Sequence, residues 1–403
     1  VMNVTDLDDR TIQGAENTGL TLKDYTEHYY EAFLEDLETL RIKRAAQYPK
    51  ASEHVEDMIA MTEKLLEKGY AYEKFRSIYF DISRLKDYGK LSKIDLDKIK
   101  IGKTVDLDQY EKENPRDFTL LKRSTLAELK KGVFFQTKWG NLRPGWHIEC
   151  SAMAMKHLGA VYDIHTSGVD LIFPHHENAV AVSQALTGRP PANYWLHNEL
   201  VLINGKKRRI PSGEDAATFR DLLVKGYSGR VVRYWLLGRH YRKPIVFSLP
   251  RLDAAKKTLA HMDSLVRKLH AVKEGASNTD IDQICYDLRQ SFTEAMDDDL
   301  NISAALSAIF KTATRINAVI DKKGISRSDA AKVLQALERV DSVLGIFDLK
   351  PASIEESAEA LINKREDARR AKDWHTADQI REELRLKGIE VIDTKSGPVV
   401  KNI

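Results

Sequence analysis

The sequence predicts an α/β and α fold class: an α/β region over residues 1–215, a helical bundle over 216–350 and a small mixed α/β module over 351–403. Three observations carry this expectation. Amphipathic helical stretches and alternating β-type runs share the first half. Long apolar stripes at helical spacing fill the region from Leu252 to Leu344. A capped helical stretch followed by a β-prone tail closes the chain.

In order, Val1-Met-Asn-Val-Thr-Asp-Leu-Asp-Asp9 is a β-prone run that passes at once to clustered acids. Residues 23–46 and 52–68 read as helices, the second with Val55, Ile59, Leu65 and Leu66 on one side and Gly69 as its stop. Ile78, Phe80 and Ile82 alternate with Tyr79 and Asp81, which predicts a half-buried strand. The Lys- and Asp-rich stretch 84–116 reads as a solvated surface insertion. A helix is expected from Glu149 to about Leu158, with His165, Asp170, His175, His176 and Glu177 on loops and a following helix start. Residues 195–198 and 201–203 read as the next strand.

The bundle stripes run through Leu252, Leu259, Met262, Val266 and Leu269, then Ile281, Ile284, Leu288 and Phe292. Two more follow, one from Ile302 through Ile309 to Ile320 and one from Val333 to Leu344. In the last module Ser353 and Glu356 suit a capping box, Gly388 ends a helix, and 389–393 with 399–401 form a hairpin.

Composition narrows the function. Hydrophobic residues make up 42% and charged residues 31%, and no apolar run approaches the ~18 residues of a membrane span. Two cysteines and no secretory start fit a reducing, cytoplasmic setting. A net charge of +3 leaves any nucleic-acid surface to local patches. A monomer with no membrane partner is expected.

Chemistry concentrates in two stretches, Arg143-Pro-Gly-Trp-His-Ile-Glu-Cys-Ser-Ala-Met153 and Asp163-Ile-His-Thr-Ser-Gly-Val-Asp-Leu-Ile-Phe-Pro-His-His-Glu-Asn-Ala179. Cys150 and His175 are ligand types that zinc selects. Neither has a second ligand at CxxC or HxxxH spacing, so a buried free cysteine beside loop histidines stays open. The basic run Lys206-Lys-Arg-Arg209 suits either phosphate binding or a solvated turn. Trp374, within an Arg-rich helical stretch, suits stacking on unpaired bases or packing against a neighbouring helix.

These stretches together resemble the cysteinyl-tRNA synthetase family of class I aminoacyl-tRNA synthetases. The likeness runs from Asn3, Thr5, Asp6, Asp8 and Asp9, through the GWHIECSAM and FPHHEN runs, to Met296-Asp-Asp-Asp-Leu-Asn301 and Arg369-Arg-Ala-Lys-Asp-Trp-His-Thr-Ala-Asp378. It implies a partial Rossmann-type catalytic domain, a DALR-type helical domain and an anticodon-recognition module. It implies ATP-dependent activation of L-cysteine and its transfer to cysteine tRNA. The resemblance further assigns Cys150 and His175 to zinc, and Thr5, Trp146, His165 and Asp170 to substrate. Lys207, with Arg208 and Arg209, falls at the KMSKS loop, and Arg369, Trp374 and Asp378 fall where the anticodon is read.

The sequence also departs from the family pattern. Ala179 replaces a glutamate ligand, Thr166-Ser167 replaces two glycines, and Glu199 replaces another. Arg208, Arg209, Ile210 and Pro211 replace the rest of KMSKS, and no His-x-Gly-His occurs in the 403 residues. These departures predict that the 403-residue chain holds well under one zinc and shows no detectable cysteine-dependent ATP–pyrophosphate exchange. Two alternatives therefore stand beside the ligase: a paralogue that binds tRNA without aminoacylation, and an amino-sugar ligase like that of the mycothiol pathway. The C-terminal RNA module counts against the second.

Overall fold

In the computed structural model, the acids that crowd the opening segment each secure a different element. Asp8 caps α1 (Asp9–Thr18) by accepting the Thr11 N–H at 2.7 Å, while its own N–H donates to Thr11 Oγ1. Asp6 accepts from the Ser52 N–H and hydroxyl at 2.9 and 2.5 Å. Asp9 takes Lys122 at 2.9 Å and also Arg143, and the buried Arg143 guanidinium meets Glu128 at 2.6 Å. A guanidinium removed from water needs this much partnership. The structure describes residues 1–95, 112, 114, 116–203, 206–207, 218–273, 275–350, 356–394 and 397–402.

The chain divides into two units, the first comprising Val1–Gly229 and Arg239–Ser248. Here α2 (Leu22–Thr39) stops short of the expected residue 46, because Arg41 enters the left-handed region at φ 55°. Next, α3 (Val55–Glu67) ends at Gly69, φ 74°, as its sequence suggests. An antiparallel sheet follows in the order β1 (Ala71–Lys74), β2 (Ser77–Phe80), β3 (Phe118–Arg123), β5 (Gly140–Pro144), β4 (Phe135–Thr137), with α4 (Leu126–Lys130) between β3 and β4. The half-buried strand expected at 78–82 is instead buried on both faces. Ile78 and Phe80 join the core with Met58 and Leu65 of α3, while Tyr79 packs on Tyr72 with ring centroids 5.6 Å apart.

The β5 strand runs through Gly145 into α5 (Trp146–Leu158), which begins three residues before the expected Glu149. A side chain at Gly145 would stand 2.3 Å from the Thr119 carbonyl oxygen, so glycine lets the turn press against β3. Two parallel strands, β6 (Tyr162–Gly168) and β7 (Ala192–Asn198), flank α6 (Glu177–Thr187) in sequence. Then β8 (Val201–Ile203) pairs with β9 (Lys206–Lys207) and, after α7 (Phe219–Val224), with β10 (Ile245–Phe247).

The second unit comprises Arg230–Gly238 and Leu249–Ile403. Its helices are α8 (Gly229–Leu237), α9 (Leu249–Ala271), α10 (Asp280–Asp297), α11 (Ile302–Lys323) and α12 (Arg327–Leu344), followed by α13 (Glu356–Arg370) and α14 (Trp374–Leu386). The stripe residues Leu259, Ile284, Ile309 and Val333 are each buried, as helical periodicity requires. A hairpin of β11 (Ile389–Thr394) and β12 (Gly397–Asn402) ends the chain, while the expected cap at Ser353 lies outside the described residues. Among the described residues no helix is long and apolar enough to cross a membrane.

Candidate functional site

Helix α5 presents His147 and Cys150 three residues apart, on one face of its first turns. Both meet His175, whose Nε2 lies 3.2 Å from Cys150 Sγ and whose Nδ1 lies 3.2 Å from His147 Nδ1. Burial pushes the Cys150 thiol up to about 12 and brings both imidazoles down to about 3. A neutral thiol and two neutral imidazoles thus form a hydrogen-bonded chain with no net charge. His175 is the middle member, between Cys150 and His147, and the Asn3 amide donates to Cys150 Sγ at 3.5 Å. Trp146, 38% exposed, stacks over His175 with ring centroids 4.3 Å apart.

His165 lies on β6 and not on a loop, because its strand pairs in parallel with β7 and sets His165 against Trp195. Its Nδ1 is 2.9 Å from the Tyr162 hydroxyl, and burial lowers it to about 4. His176 Nδ1 lies 2.9 Å from His197 Nε2 and 4.7 Å, ring to ring, from His165. Asp170 follows β6 on a short 3-10 turn. Glu177 does not turn toward the metal-type donors. Its buried carboxylate accepts backbone N–H groups from Gly89 and Ser92, so the supposed surface insertion is packed there.

A cleft of about 410 Å³ opens beside this cluster. Thr5, Trp146, His147, Tyr88 and Asn178 line it, together with the cations of Arg10 and Lys122. Of the expected substrate residues, Thr5 and Trp146 share this cleft, whereas His165 joins the histidine–tryptophan group behind it. Lys207 sits in β9, and Arg208 and Arg209 lie outside the described residues.

In the C-terminal module, α13 and α14 meet at a turn over 371–373, with Lys372 at φ 61° and Asp373 capping Trp374's helix. The turn therefore falls between Arg369 and Trp374. Arg369 lies 5.9 Å from the Trp374 ring and is held by Asp393 at 2.7 Å. Arg365, buried beneath, grips Asp393 with two bonds of 3.0 and 2.9 Å. Trp374 remains 58% exposed, and Asp378 is exposed one turn further along α14.

Residues 1–257 match the family described as the tRNA synthetases class I (C) catalytic domain. Residues 291–348 match the DALR domain, and 352–397 match the cysteinyl-tRNA ligase anticodon binding domain. A cysteine–tRNA ligase of Methanosarcina mazei is 42% identical over 409 residues, spanning 100% of this chain and 86% of that protein. The chain belongs to the cysteinyl-tRNA synthetase family. A Chlamydia pneumoniae cysteine–tRNA ligase is likewise 42% identical, over 406 residues covering 100% of this chain and 85% of that protein. The fold is similar to that of a Mycobacterium tuberculosis methionyl-tRNA synthetase bound by methionyl-adenylate. There the TM-score is 0.59 at 12% identity, covering 84% of this chain and 83% of that one.

Zinc is the metal that cysteinyl-tRNA synthetase membership raises. Among the described residues no three His, Cys, Asp or Glu side chains converge on a common point. Cys150 and His175 have the right donor chemistry, but Glu177 is committed to Gly89 and Ser92, and Ala179 carries no donor. These residues alone do not make a four-coordinate set. His147 was missed in the sequence, although its i,i+3 spacing to Cys150 was a usable signal. The roles of Tyr88 and Asn178 left no local signal, since they meet across 90 residues.

Proposed function

We infer that the chain acts as a cysteine–tRNA ligase, activating L-cysteine with ATP and joining it to cysteine tRNA. The observation that carries this reading is 42% identity to curated cysteine–tRNA ligases along the whole chain. L-cysteine is taken beside Thr5 and Trp146, with the Cys150–His175 pair facing its thiol and with His165 and Asp170 on the adjoining strand and turn. The uncharged Cys150, His175 and His147 side chains suit the neutral thiol end of that amino acid.

In the first half-reaction the cysteine carboxylate attacks the α-phosphate of ATP in line and pyrophosphate leaves. Positioning and charge neutralisation supply the catalysis, and Lys207, Arg208 and Arg209 are the cations assigned to the phosphates. In the second half-reaction a terminal ribose hydroxyl of the tRNA takes the cysteinyl group and AMP leaves. Trp374, Arg369 and Asp378 are the residues assigned to the anticodon.

Cysteine-dependent ATP–pyrophosphate exchange by the protein as its gene encodes it tests the reading. Exchange with cysteine and not with serine is expected. Firm tRNA binding without exchange would replace the ligase with an RNA-binding role.

A further inference from the structure

Two side chains of the His175-His-Glu-Asn178 run turn away from the histidines. Glu177 is 1% exposed, and its carboxylate accepts the Gly89 N–H at 2.9 Å and the Ser92 N–H at 2.7 Å. Asn178, equally buried, accepts the Tyr88 hydroxyl at 2.5 Å. Gly89 takes φ 95°, which lets the chain bend around the carboxylate, and the Ser92 hydroxyl closes the bend on the Gly89 carbonyl. Residues 88–92 thus form a strap fastened to the first turn of α6. Bonds to a buried carboxylate are charge-assisted and are among the stronger ones a protein makes.

The strap reaches the site on its other side. Tyr88, Asn178 and Pro174 line the same cleft as Trp146 and His147. His175, two residues before Glu177, carries the Trp146 ring on its face and Cys150 at its Nε2.

We propose that Glu177 and Asn178 are positioning residues, which clamp the 88–92 strap onto α6 and so place both the Tyr88 wall of the cleft and His175 against Trp146 and Cys150. The proposal rests on the ligase reading, in which L-cysteine enters beside Trp146. Glu177 and Asn178 act through Tyr88 and His175.

The test measures L-cysteine affinity by calorimetry on the full chain, below its melting temperature. It compares wild type with Tyr88→Phe, Glu177→Gln and Lys90→Ala, and follows iodoacetamide alkylation of Cys150 by peptide mapping. Losing one such bond should weaken cysteine binding about fivefold in Tyr88→Phe and about tenfold in Glu177→Gln, and should speed Cys150 alkylation by similar factors. Lys90→Ala removes only an exposed pair with Asp87 at 3.7 Å and should change neither readout. If Tyr88→Phe and Glu177→Gln match wild type in affinity and alkylation, the clamp is merely structural and the proposal is overturned, even if their melting temperatures fall. If wild type binds no cysteine, the ligase reading fails, and the alkylation rates alone still decide the clamp.

Discussion

Cys150 and His175 offer a metal two donors 3.2 Å apart, and Ala179, four residues beyond His175, offers none. The 403-residue chain, purified without chelator, should therefore carry well under one zinc per molecule by elemental analysis. Ala179→Glu should raise that fraction only in part. Stoichiometric zinc that disappears in Cys150→Ala would show that other groups complete the site. Away from the site, the Arg143–Glu128 pair invites a stability measurement. Removing Glu128 leaves a buried guanidinium with less compensation, so Glu128→Ala should cost about 3 kcal/mol in denaturant unfolding. Burial raises the Glu128 carboxyl, but the Thr125 N–H and Arg143 more than reverse this and leave it below its ordinary 4.5. Its contribution is thus complete above about pH 5 and is lost as pH falls through the lower folded value. Glu128→Gln should flatten that part of the acid profile, and an unchanged profile would deny the pair its role.

At the scale of elements, the α13–α14 turn builds a platform in which Asp393 holds Arg369 beside the Trp374 ring and leaves much of the indole open. A base stacked there is worth ~1–3 kcal/mol, so Trp374→Ala should weaken cysteine-tRNA binding roughly tenfold or more in a titration. Arg369→Ala should weaken it too, and binding should fall with salt. Equal affinity for tRNAs with substituted anticodons would reduce the platform to scaffold. How far such elements show in sequence depends on where their partners lie. The bundle helices were readable because Leu259 and Val266, or Ile302 and Ile309, repeat within one helix. The depth of β2 was not, since β3, the neighbour that makes it an interior strand of the sheet, lies some 40 residues on. Nor was the service of Asp9, whose partners Lys122 and Arg143 stand 113 and 134 residues away.

Across the whole molecule, matches to a class I catalytic domain, a DALR domain and an anticodon binding domain follow one another along the chain. That order suits a protein that must hold an amino acid and a tRNA together. The motifs made the family readable from residues alone, while the convergence of Cys150 and His147 on His175 and the strap on Glu177 are visible only in the fold. The most direct test of the central claim is charging of cysteine tRNA with labelled L-cysteine and ATP by the protein as its gene encodes it. The account predicts cysteine-specific charging that falls when the anticodon is changed or Trp374 is replaced by alanine. Tight binding of the same tRNA with no cysteine attached, under any supply of ATP, would contradict it.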